Sequence, residues 1–105
     1  MQEDRTYICR LIDCYGSVLS DRQRDVADLY YNDDLSLSEI GENCGITRQG
    51  ARDAIKHAVS QLYALESSLG FVARGEKISE LASEILNKSS EAEIKKLAER
   101  ILGEL

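Results

Sequence analysis

Apolar residues recur along this chain at the spacing of helices rather than strands. Tyr7, Ile8, Leu11, Ile12 and Tyr15 fall at i, i+1, i+4, i+5 and i+8, one face of a 3.6-residue period. They predict a first helix from about Glu3 to about Gly16. Ser20 before Asp21-Arg22-Gln23 has the form of a capping box, in which the serine hydroxyl takes a free backbone N–H and Gln23 reaches back. The second helix carries Val26, Ala27, Leu29, Tyr30 and Tyr31 and stops at the turn cluster Asn32-Asp33-Asp34. Ser36 with Glu39 repeats the box and opens a short helix with Leu37 and Ile40 as its stripe. Gly45 is the natural left-handed cap for that helix. Thr47 is placed to cap the next one, where Ala51, Ala54, Ile55, Ala58, Val59, Leu62, Leu65 and Leu69 keep helical spacing up to Gly70.

Gly70 to Gly75 reads as a short connector around Phe71 and Val72. Beyond it the chain echoes itself. ISELASEIL (78–86) and IKKLAERIL (94–102) share I-x-x-L-A-x-x-I-L. Asn87-Lys88-Ser89-Ser90 lies between them, and Ser90 with Glu93 forms a third capping-box pattern. The expectation is an antiparallel helical hairpin with one apolar stripe per arm, too short a repeat for a solenoid.

Composition narrows the class. The chain has 105 residues, 43% of them hydrophobic, and no proline, so nothing forces a break in a helical ladder. An all-α protein is predicted. No run of 18 apolar residues suggests a membrane span, and the polar start MQEDRTY has no apolar signal region. A cytoplasmic setting is expected, without membrane insertion. Cys9, Cys14 and Cys44 lack metal-ligand spacing, and His57 is the one histidine. Reduced thiols in or near the core are expected, with no metal and no cofactor.

Residues 35–56, LSLSEIGENCGITRQGARDAIK, carry the main motif. A helix-turn-helix needs a small residue where its two helices cross, and Gly41 supplies it. It needs a turn residue that tolerates positive φ, and Gly45 supplies that. Ile40, Ile46, Ala51 and Ile55 clamp the pair. Thr47, Arg48, Gln49, Arg52, Asp53 and Lys56 are left outward at the start of the second helix. Arg48, Arg52 and Lys56, four residues apart, make a basic stripe that could meet phosphate or guanine, and Gln49 could pair with adenine. The candidate nucleic-acid-binding residues are therefore Thr47, Arg48, Gln49, Arg52 and Lys56. The competing reading is a solvated face of a long amphipathic helix. The formal net charge is −6, and residues 20–70 hold five Arg and Lys against nine Asp and Glu, a field that repels phosphate. Both readings of the stripe stay open on sequence alone.

The region resembles two related families. LYYNDDLSLSEIGENCGITRQGARDAIKHA is similar to the region-4-like helix-turn-helix of bacterial sigma factors: a helix ending in aromatics, an acidic turn, a short helix, a glycine and a recognition helix. More narrowly, Tyr15-Gly16-Ser17-Val18-Leu19-Ser20-Asp21-Arg22-Gln23, then Leu29 to Ile40, then Thr47-Arg48-Gln49-Gly50-Ala51-Arg52-Asp53-Ala54-Ile55-Lys56 resemble the YlxM-like family of small bacterial proteins. That resemblance extends over roughly residues 5–72. It implies a sigma region 4-like fold and a regulatory role in the signal recognition particle pathway. The implied partners are the particle's GTPase, its small RNA, or both. Gly50-Ala51-Arg52 departs from the family's usual Ala-Val-Tyr and adds an arginine to the stripe. The uncharged Ala58-Val59-Ser60-Gln61-Leu62 departs from the more basic recognition helix of sigma region 4.

The predicted organisation is a helix-turn-helix domain over 1–70, ending in a long recognition helix, and a C-terminal hairpin over 71–105. The hairpin is expected to pack on the long helix or on a second subunit through Ile78, Leu81, Ile85, Ile94, Leu97 and Ile101, which leaves a homodimer open. Three functions compete: a regulatory module of the signal recognition particle pathway, a sequence-specific DNA-binding regulator, and an assembly adaptor. Catalysis is not expected: the sequence has no glycine-rich phosphate loop and no nucleophile–base motif, and Glu39 and Asp53 read as cap and surface residues.

Overall fold

A computed structural model describes residues 4–105. Among the described residues there are six α-helices and no strand: α1 (Arg5–Tyr15), α2 (Asp21–Tyr31), α3 (Leu37–Cys44), α4 (Arg48–Leu69), α5 (Phe71–Lys88) and α6 (Ala92–Gly103), with a 3-10 turn at Gly16–Val18. The chain divides into two compact units at Leu69/Gly70.

In the first unit α1, α2 and α3 pack on α4. Asp4 caps α1 by accepting the N–H groups of Thr6 and Tyr7, so the helix starts there; the proposed start at Glu3 lies outside the described residues. Ser20 caps α2 through the Gln23 N–H. Ser36 and Glu39 form the reciprocal box at α3. Gly45 ends α3 with φ 69°, a conformation that costs glycine nothing and other residues a clash. The Thr47 hydroxyl accepts the Gly50 N–H at 2.9 Å, as expected of a cap.

Ile8, Leu11, Val26, Ile40, Ile55 and Leu62 are fully buried, joined by Ala27, Ala51 and Ala58. Each large side chain contributes about 1.5–3 kcal/mol by leaving water. Of the predicted α4 stripe, Ala51, Ile55, Ala58, Val59 and Leu62 are buried, but Ala54 and Leu65 are half-buried and Leu69 is 42% exposed. Along the outer half of α4, the Tyr63 ring centre lies 5.9 Å from that of Tyr7, the rings tilted by 44°, and Glu66 accepts the Tyr15 hydroxyl. The thiols lie nearer the surface than expected: Cys14 is exposed, and Cys9 and Cys44 are intermediate.

The second unit is the hairpin of α5 and α6. Its boundaries correct two expectations. Residues 71–75 are the first turns of α5 rather than a connector. Gly70, at φ 66°, redirects the backbone within a single residue, and the Arg74 N–H already donates to the Gly70 carbonyl. Phe71-Val72-Ala73-Arg74 contains nothing that breaks a helix. The third capping box is also absent: α6 starts after Glu91, which makes no side-chain cap. Ser89, not Ser90, turns the chain there, its hydroxyl accepting the Glu91 N–H at 3.2 Å. Ala82 and Ala98 are the buried residues of the two arms.

Candidate nucleic-acid interface

The geometry of the site begins at Gly41. A Cβ there would lie 2.7 Å from the Ile46 carbonyl oxygen, a distance no side-chain carbon tolerates, and 3.3 Å from the Thr47 carbonyl carbon. The missing side chain lets the turn lie directly on α3. The turn is closed by the Ile46 N–H donating to the Gly41 carbonyl at 2.9 Å. Ile40, Ala51 and Ile55 are buried beneath it, and Ile46 is half-buried. The start of α4 is thus fixed to α3 by backbone contacts and a small apolar clamp.

Thr47, Arg48, Gln49, Arg52 and Lys56 are all exposed. Arg48, Arg52 and Lys56 lie on successive turns, each displaced about 40° around the axis from the last, so the cationic stripe slants across the helix. Among the described residues, no acidic group pairs with any of the three. The other two candidates are already engaged. Thr47 is the cap of α4. The Gln49 amide donates to the Asp53 carboxylate at 3.0 Å. That bond was legible in principle, because Gln and Asp four apart on a helix are neighbours.

Sequence reasoning missed Arg5. Its guanidinium donates to the Tyr30 carbonyl at 2.6 Å and pairs with Asp34. It sits 5.2 and 5.4 Å from the ring centres of Tyr30 and Tyr31, a cation–π arrangement. The contact holds the acidic turn before α3, where Asp34 adopts φ 57°. It joins residues 25 and more positions apart, which no local pattern announces.

Glu39 and Asp53 occupy the roles expected of them. Glu39 accepts the Ser36 N–H at 3.0 Å, and that backbone bond, with the serine hydroxyl, holds its carboxyl below the usual carboxylate range. Asp53 is an exposed helix-surface group.

Comparison with known proteins shows what the sequence is similar to. Residues 2–101 match the family described as "UPF0122: Putative helix-turn-helix protein, YlxM / p13 like". The match runs through α5 and most of α6, so the family pattern reaches past residue 72 and includes the hairpin. A UPF0122 protein of Thermoanaerobacter sp. (strain X514) is 36% identical over all of this chain and 96% of its own length. One from Clostridium perfringens (strain SM101 / Type A) is 38% identical over 98% of this chain and 96% of its own. One from Clostridium botulinum (strain Alaska E43 / Type E3) is 46% identical over 69% of this chain and 66% of its own.

Proposed function

From the premise that this chain belongs to the YlxM/p13-like helix-turn-helix family, we propose that it is a non-enzymatic regulatory protein that grips a nucleic acid through the first half of α4. The observation that carries this reading is the stripe of Arg48, Arg52 and Lys56, exposed and without acidic partners among the described residues. A cation already paired with an acidic neighbour must give up that partner before it can displace counterions from phosphate; these three have no such partner to give up among the described residues. The Gly41 contact with the turn supports the reading further, since it holds the stripe rigidly.

We assign the partner as the small RNA of the signal recognition particle, its GTPase, or both, in the cytoplasm. The support is the family resemblance together with charge segregation. The stripe would meet RNA phosphate, and the acidic remainder of a chain of net charge −6 would meet a basic RNA-binding surface of the GTPase. No helix among the described residues is long and apolar enough to cross a membrane.

The test is titration of the labelled particle RNA with the full chain at several salt concentrations. Three phosphate contacts predict that affinity falls with salt, with a log–log slope of about −2 to −3. Substituting Arg48, Arg52 and Lys56 together by alanine should remove binding and leave the melting temperature nearly unchanged. Absence of binding at low salt, or a triple variant that binds as well as the parent, defeats the proposal. The alternative is a DNA-binding regulator; selection from random duplexes that enriches one sequence would favour it, and selection that enriches none would remove it.

A further inference from the structure

The hairpin buries two alanines, half-buries Leu86 and Leu102, and leaves most of its other large apolar side chains exposed. Ile78, Leu81, Ile85, Ile94, Leu97 and Ile101 are 37–56% exposed. Together they present roughly 400–500 Å² of apolar surface, at the upper end of what a monomer leaves to water.

The repeat in the sequence explains the arrangement. With Ala82 and Ala98 turned toward the opposite arm, a rotation of about 100° per residue puts Ile78 and Ile85 roughly 40–60° to one side and Leu81 about 100°. Ile94, Ile101 and Leu97 stand at the same angles in α6. Because the arms run antiparallel, equal rotation brings both stripes to the same side of the hairpin. That side is one apolar face, and the shared I-x-x-L-A-x-x-I-L makes it nearly symmetric with itself.

Charges at its two edges differ in sign. The α5 edge carries Arg74, Lys77 and Lys88; the α6 edge carries Glu93 and Glu104. Farther round, Glu84 and Arg100 reverse the pattern in both arms at once. All of these groups are exposed.

We propose that a second copy of this chain covers the face, forming a four-helix arrangement in which α5 of each copy lies over α6 of the other. A two-fold axis parallel to the helices gives this pairing and keeps every adjacent pair antiparallel. With Ala82 level with Ala98, Lys77 stands within one residue of the height of Glu104, and Lys88 of Glu93. Both meet opposite charges across the interface. The other two-fold solution, with α5 over α5 and α6 over α6, sets Lys77 against Lys88 and Glu93 against Glu104, and like charges oppose it. Closing the face twice over buries close to the roughly 1,000 Å² that a specific interface needs.

Sedimentation equilibrium of the full chain tests this independently of any nucleic acid. The parent should sediment as a dimer at micromolar concentration. Leu81→Glu with Leu97→Glu should sediment as a monomer. Lys77→Glu with Lys88→Glu should weaken association about tenfold or more at low salt, and adding Glu93→Lys with Glu104→Lys should recover most of the loss. The charge variants change only exposed side chains, so they remain informative if the leucine variant fails to fold. A parent that stays monomeric at ~100 μM, whether the face is covered by the first unit of its own chain or by nothing, overturns the proposal. So does a dimer indifferent to the leucine substitutions, or a full charge exchange that fails to recover affinity.

Discussion

Thr47 serves the helix before it serves any partner. Its hydroxyl accepts the Gly50 N–H, one of the donors that the first turn of α4 leaves unsatisfied. Thr47→Ala should cost about 1 kcal/mol of stability, read by chemical denaturation, whereas Thr47→Ser should restore it. Neither should alter the salt slope of nucleic-acid binding, because no charge changes. Arg48, Arg52 and Lys56 behave in the opposite way: their loss should erase the slope and spare the fold. Glu39 adds a pH dependence. Its carboxyl is held low by the Ser36 backbone N–H and then by the Ser36 hydroxyl. A folded-state pKa below the unfolded one contributes stability above the unfolded value, and that contribution disappears as pH falls through the folded value. Glu39→Gln should therefore flatten part of the acid side of a melting-temperature profile. An unchanged profile would mean that the capping bonds exert no such hold in solution.

At the level of the helices, two glycines give opposite expectations from the same substitution. Alanine is worth about 1 kcal/mol over glycine inside a helix. At Gly75 in α5 a Cβ meets nothing within 4 Å, so Gly75→Ala should stabilise the hairpin by about that amount. At Gly41 the same Cβ meets the Ile46 carbonyl oxygen at 2.7 Å. The turn must then open, at a cost of about 1–3 kcal/mol, and the start of α4 with its cationic stripe moves away from α3. Gly41→Ala should therefore weaken both stability and polyanion binding, measurable in one titration and one melt. These contrasts also show what sequence reading reaches. Ser20, Ser36, Gly45 and Thr47 announce helix boundaries because each acts within three or four residues of itself. Gly41 was legible because the motif demands a small residue at the crossing. The start of α5 was not, since a glycine at position 70 fits a loop as well as a one-residue turn, and only the backbone at φ 66° decides. Ser89 and Ser90 have similar local sequence, and which of them turns the chain before α6 is settled only by the fold. Arg5 escaped notice because its partners, Tyr30 and Asp34, come close only once α1 and α2 have packed.

For the molecule as a whole, the two units earn their stability differently. The first surrounds α4 with a buried set that includes Ile8, Leu11, Ile40, Ile55 and Leu62. The second, Gly70–Leu105, is shorter than the roughly 40 residues below which a domain ordinarily needs a disulfide, a metal or an oligomer. It has no cysteine, and among its own residues only Ala82 and Ala98 are buried. In the proposed pairing association supplies that stability, and association follows mass action: a folded dimer would gain on the unfolded chain as concentration rises. Melting of the full chain followed at increasing protein concentration should show two responses. The part of the transition reporting Tyr7, Tyr15 and Tyr63, which lie in the first unit, should hold its midpoint. The helical signal not accounted for by that unit should shift upward, by several degrees for each hundredfold rise in concentration. Leu81→Glu with Leu97→Glu should abolish the concentration dependence and lower the second transition alone. A single transition with a midpoint independent of concentration would show that the hairpin draws its stability from its own chain, and the paired-hairpin arrangement would then lose its physical motive.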